Sequence, residues 1–334
     1  MRVVIFFLSA LSCVGFAAQA GAPAALKAEP LVLPGGPAPV GMDYLAYDES
    51  TKTVWVPAGN TGKVDVVESA TRQIRPVDGF PTAQRGTRTV GPSSATVGAG
   101  VVYVGNRADS SVCAVDVKSL RLGQCVKLES MPDGIAYVSP TKEVWVTAPR
   151  DKALIIVDVS SSPPKVKGKV PLEGQPEGYA VDSSHGIFYT NYEDKDLTLA
   201  IDVRTRQIKS QWQPKCGEAG PRGISLDEKA EQLFVACTDR VSVLSTKTGA
   251  LLSQIETGAG VDNPDYLPSR HLLYIASGKS STLSIFSVSP RGTLEKVAGA
   301  ETSAGCRVVV ADTKGNAYVS DSAGGRLLVV KAPP

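Results

Sequence analysis

An all-β fold, a seven-bladed β-propeller, is what this sequence predicts, and three observations carry the prediction. An aromatic residue recurs seven times, at Trp55, Tyr103, Trp145, Phe188, Phe234, Tyr274 and Tyr318, at intervals of 40 to 48 residues. A period of roughly 40–50 residues suits a propeller blade or a helical repeat unit. Within each unit, short runs rich in Val, Ile, Tyr and Trp alternate with Gly, Asn, Asp, Ser and Pro, which is strand and turn chemistry. The last unit stops one strand short, and a strand-like segment without a unit lies near the start of the chain.

The chain has 334 residues. Met1 and Arg2, the apolar run from Val3 to Phe16, and Ala18-Gln19-Ala20 before Gly21 read as a secretory signal peptide over residues 1–20. A lipoprotein box ending at Cys13 is the weaker alternative. The expected location is therefore the periplasm or the exterior, with no transmembrane segment. Residues 21–334 then form one propeller domain. Repeats can exceed the usual size of a single core because each unit buries surface only against its neighbours.

The first unit shows the strand plan. "YLAYD" is strand A, "TVWVPA" strand B, "KVDVVES" strand C and "QIRPVDG" strand D, with turns between them. Strand C tends to end in an Asp, read at Asp65, Asp116, Asp158 and Asp202, whose carboxylate is expected to bond its own turn. The seventh unit supplies strands A to C only. The economical closure lets Leu31 to Leu33 serve as its outer strand, which leaves only short, protected sheet edges.

Export permits disulfides. Cys113 and Cys125 flank a hairpin symmetrically, and Cys216 precedes the unit whose second strand ends at Cys237. These four are disulfide candidates, and Cys306 is left over.

"VVYVGN" (Val101 to Asn106), "IFYTN" (Ile187 to Asn191) and "VWVPAGN" (Val54 to Asn60) resemble the Tyr-Val-Thr-Asn repeat of YncE-like β-propellers. The resemblance spans residues 21–334 and implies an exported seven-bladed propeller. It says little of function. The family includes members without an established reaction, and single-stranded DNA binding is associated with one branch. The later units depart from the repeat, with "FVACTD", "YIASGK" and "YVSDSA" lacking the Asn.

Aligning the units brings one position at the start of strand A into a ring: Asp43, Ser93, Asp133, Glu177, Arg222, Asp262 and Arg307. In a propeller this position opens onto the mouth of the central channel. Arg222 is expected between Glu177 and Asp262, and Arg307 between Asp262 and Asp43, leaving Asp133 the least partnered carboxylate. The B–C turns share that face and add Asn60, Asn106, Arg150, Asn191 and Glu193. The long connection between the first two units adds Arg85 and Arg88. A mixed-charge mouth suits a small polar ligand or a partner protein, and a binding module acting as a monomer is the leading expectation.

No cofactor is expected. A divalent cation at the channel mouth is the alternative, held by Asp43, Asp133, Glu177 and Asp262 as in calcium- or magnesium-dependent lactonases of the SMP-30 type. "PDGIA" and "DNPD" resemble pieces of that family, but its opening Glu motif is missing and the blade number differs. His185 and His271 fall in A–B turns on the opposite face. No nucleophile elbow, zinc-protease or phosphate-loop motif occurs. The formal net charge of +2 and the 6 % aromatic content argue against a dedicated nucleic-acid binder; single-stranded DNA is the weakest alternative.

Overall fold

The computed structural model describes Met1, residues 22–36 and residues 38–333. The signal-peptide segment and the Cys13 lipoprotein box lie outside the described residues. Seven sheets follow one another along the chain, each with its strands A to D side by side in order and strand A innermost. Blade 1 consists of Ala46–Asp48, Thr53–Ala58, Lys63–Glu68 and Ile74–Val77. Blade 4 shows the same plan in Pro176–Asp182, Ile187–Tyr192, Leu197–Asp202 and Ile208–Trp212. Among the described residues helical structure is limited to three short 3-10 turns, and no helix is long and apolar enough to cross a membrane.

Alternation within each strand explains why the sheets pack radially. Successive side chains point to opposite faces, so one set meets the preceding blade and the other the following blade. Seven hydrophobic clusters result, one at each blade interface. Trp55, Val64 and Val66 of blade 1 meet Val102, Val104 and Val115 of blade 2. The seventh cluster joins Val310, Tyr318 and Leu327 of blade 7 to Val54, Val56 and Val67 of blade 1. The ring is therefore closed by apolar burial as well as by strand pairing.

Closure follows the expected route. Ala28–Val32 pairs antiparallel with Arg326–Val330 and supplies strand D of blade 7, with Leu31 opposite Leu327. The preceding residues do more than the sequence suggested. Ala24–Leu26 runs parallel to Leu294–Glu301 and adds a fifth strand to blade 6. One short segment thus clasps two neighbouring blades.

Two sequence assignments need correction. In blade 4 the residue equivalent to Trp55 and Trp145 is Tyr189, not Phe188. Phe188 faces blade 3, with its ring 4.9 Å from that of Trp145. Tyr189 faces blade 5. A shift of one residue exchanges the two faces of a strand. Asp65 is not a turn residue either. It lies within strand C opposite Val56 and Pro76, and Glu68 holds the turn through Thr71. Asp65 is buried, its Oδ1 has no hydrogen-bond partner, and burial pushes its carboxyl up to about 7.

Two disulfides tie outer structure to the blades. Cys113 and Cys125 lie opposite each other on strands C and D of blade 2 and are joined. Cys216–Cys237 fastens the connection entering blade 5 to that blade's strand B. Cys306 is free and buried.

Candidate functional site

At the channel mouth, strand A of each blade begins near the axis and the B–C turns rise around it. They enclose an open cavity of about 980 Å³. Six of the seven ring residues line it: Asp43, Asp133, Glu177, Arg222, Asp262 and Arg307. Ser93 does not. It is short and buried, its carbonyl accepts a bond from the Tyr44 amide, and its hydroxyl has no partner. Blade 2 contributes Arg107 to the cavity instead, from its B–C turn.

The loop residues divide in two. Arg85, Arg88, Arg150 and Glu193 line the cavity. The asparagines are consumed by the scaffold. Asn60 accepts from the Gly41 amide and donates to the Pro39 carbonyl. Asn106 donates to Pro81 and accepts from Ala108. Asn191 donates to the Arg222 carbonyl and accepts from the Thr198 hydroxyl. Each amide latches its turn to a neighbouring segment, so none is free for a ligand. Around Asn106 and Asn191 the bonded backbone groups are partly buried and need such partners.

Arg107 is the residue that sequence reasoning missed. Its guanidinium bridges Asp43, at 2.7 Å, and Asp133. Burial opposes its charge, but Asp43 and Asp133 outweigh that effect and hold it protonated. Asp133 is thus well partnered, contrary to expectation. Arg307 does bridge Asp262, at 3.1 Å, and Asp43, at 3.7 Å. Arg222 does not sit between Glu177 and Asp262. It turns outward to Glu193 at 2.6 Å, because Glu193 rises on the adjoining B–C turn of blade 4.

Among the described residues Glu177 is the ring carboxylate that forms no ion pair. Its side chain accepts one bond, from the Tyr44 hydroxyl at 3.0 Å, and the same hydroxyl lies 3.2 Å from Asp133. Tyr44 belongs to blade 1, Asp133 to blade 3 and Glu177 to blade 4, so this side chain crosses the axis. It stacks on Tyr179, with centroids 5.5 Å apart. Gly134 makes room for the pair: a β-carbon there would collide with the Tyr179 ring and lie 3.1 Å from Cζ of Tyr44. The aromatic pair backs the carboxylates on the side away from the cavity mouth.

That setting governs the charges. Burial, then the neighbouring carboxylates Asp133, Asp262 and Asp43, raise Glu177 well above the usual carboxylate range. Burial also lifts Asp133 to about 6 against the pull of Arg107, and Asp262 to about 6 against that of Arg307. Like charges packed in a low-dielectric pocket hold protons more tightly than carboxylates in water. Outside this floor, Arg85, Arg88, Arg150 and Lys279 stand exposed around the rim.

A divalent cation does not fit this donor set. Asp43, Asp133 and Asp262 are engaged by arginines, and among the described residues no three His, Cys, Asp or Glu side chains are grouped to hold a metal. On the opposite face, His185 bonds Asp182 at 2.8 Å and His271 lies 3.2 Å from the Tyr266 hydroxyl.

No protein-family model and no curated protein matches the sequence. Solved structures match the fold. A chain of a mitotic checkpoint complex aligns over 100% of this chain and 99% of its own, with TM-score 0.74 and 16% identity. Kuenenia stuttgartiensis hydrazine synthase aligns over 89% of this chain and 97% of its own, with TM-score 0.72 and 14% identity. The β-propeller domain of Myceliophteria thermophila Cps50 (Swd1) aligns over 91% of this chain and 100% of its own, with TM-score 0.72 and 11% identity. At such identities the likeness establishes the seven-bladed β-propeller and nothing about chemistry.

Proposed function

We propose that this protein is an exported, non-enzymatic binding module of YncE-like type, which acts as a monomer and takes a small polar ligand into the channel-mouth cavity. The observation that carries the reading is Glu177. A half-buried carboxylate without a cationic partner is costly, and this one opens onto a cavity of ligand size. The group that would satisfy it is a cation or a strong hydrogen-bond donor, such as a primary ammonium or a guanidinium. Asp133 and Asp262 add negative potential beside it, and the arginine pairs keep the floor from collapsing. Among the described residues the cavity lining holds no aromatic side chain on which a base could stack, which disfavours single-stranded DNA.

Hexylamine is a minimal probe. Calorimetry and thermal melting should show it binding and stabilising the wild-type protein by mass action, with the effect weakened in Glu177→Gln. Equal binding by Glu177→Gln would remove the basis of the reading.

A further inference from the structure

Between blades 1 and 2 the chain forms a small hairpin, Ala83–Arg85 with Arg88–Val90, that projects over the cavity. Its base is fixed by the buried Phe80 and by the Asn106 bond to the Pro81 carbonyl. At its tip Arg85 and Arg88 are direct cross-strand partners. Like charges placed directly opposite each other destabilise a strand pair. Among the described residues no carboxylate offsets them: Arg85 donates only to the Ala108 carbonyl, at 3.3 Å, and neither Arg88 nor Arg150 forms an ion pair. Arg150 lies on the B–C turn of the next blade but one and lines the same cavity. Three guanidinium groups therefore face one arc of the rim uncompensated, while the floor carries an uncompensated carboxylate.

We infer that the rim is an oxyanion subsite and that the ligand is a zwitterion, with its cationic nitrogen at Glu177 and a carboxylate at Arg85, Arg88 and Arg150. An elongated amino acid or a short peptide has this chemistry. The planar guanidinium fork matches a carboxylate in two-point contact, and an anion between Arg85 and Arg88 would relieve their repulsion. This inference rests on the floor reading for the nitrogen, but the rim can be tested separately.

Calorimetric titrations of the full protein at low salt with hexylamine, hexanoate, and the ω-amino acid series from aminobutanoate through aminohexanoate to aminooctanoate distinguish the two. At least one ω-amino acid should bind about tenfold or more tightly than hexylamine. The exposed double variant Arg85→Gln/Arg88→Gln should lose that advantage while binding hexylamine no more weakly than the wild type does, because removing two positive charges from the same cavity cannot disfavour a cation. If hexylamine fails to bind but hexanoate binds and is lost in the double variant, the floor reading falls and the anion subsite stands. If no ω-amino acid exceeds hexylamine in the wild type, or the double variant keeps the preference, the rim inference is overturned.

Discussion

The two faces of the propeller use the same residue type in opposite ways. On the A–B and C–D turn face, carboxylates end their strands and fold back on their own chain. Asp48 accepts from the Ser50 amide and the Thr51 hydroxyl. Asp116 accepts from Lys118 and Ser119, and Asp202 from Arg204 and Thr205. The backbone amide of Ser119 holds Asp116 below the usual range, and that of Thr205 does the same for Asp202. At the channel mouth, carboxylates begin their strands. There the backbone amide of Asp133 is committed to the Thr147 carbonyl, and the carboxylates depend on arginines, on Tyr44, or, for Glu177, on no charge at all. Turn carboxylates are satisfied locally and serve the fold. Mouth carboxylates are satisfied only from other blades, and incompletely.

The largest way to break this contrast is Arg107→Met. It leaves the half-buried Asp43 and Asp133 with too little positive charge, Arg307 alone remaining near Asp43, and should cost about 2–4 kcal/mol at neutral pH, measured by urea denaturation. Tyr44→Phe removes the one donor shared by Asp133 and Glu177, and about 1–3 kcal/mol should follow. A neutral result for both would mean that the collar is solvated rather than built.

Asp65, on neither face, sharpens the point. Its folded carboxyl, at about 7, lies above its unfolded value, so the native state binds the extra proton. Its stabilising effect is complete below about pH 4 and is lost as pH rises through about 7. Asp65→Asn should therefore raise stability at about pH 8 by roughly 1–2 kcal/mol and flatten that part of the pH profile. Asp48→Ala should cost roughly 1 kcal/mol through lost turn bonds and leave ligand affinity untouched. A change of affinity there would show that the two faces are coupled.

Much of the fold was legible because a propeller repeats its signals. The seven aromatics, the turn chemistry and the missing last strand each pointed to the same ring. The collar was legible because alignment by blade converts distant residues into neighbours. Arg107 escaped because it follows Asn106 in a turn whose reach depends on the blades beside it. Tyr44 escaped because other blades also carry an aromatic in strand A, and nothing local reveals which side chain crosses the axis. The parallel pairing of Ala24–Leu26 escaped because it depends on an exposed sheet edge formed some 270 residues later.

The charge state of Glu177 is where the account is most exposed. Hexylamine stays protonated between about pH 5 and about pH 8, as lysine does, so any pH dependence of its binding reports the protein. Calorimetry across that range should show affinity rising at least about tenfold as the floor carboxylates ionise, with weaker binding and a smaller rise in Glu177→Gln, which keeps only Asp133 and Asp262 at about 6. Binding that ignores pH, or no binding at any pH, would contradict the claim that an unpaired carboxylate at the channel mouth is there for a ligand.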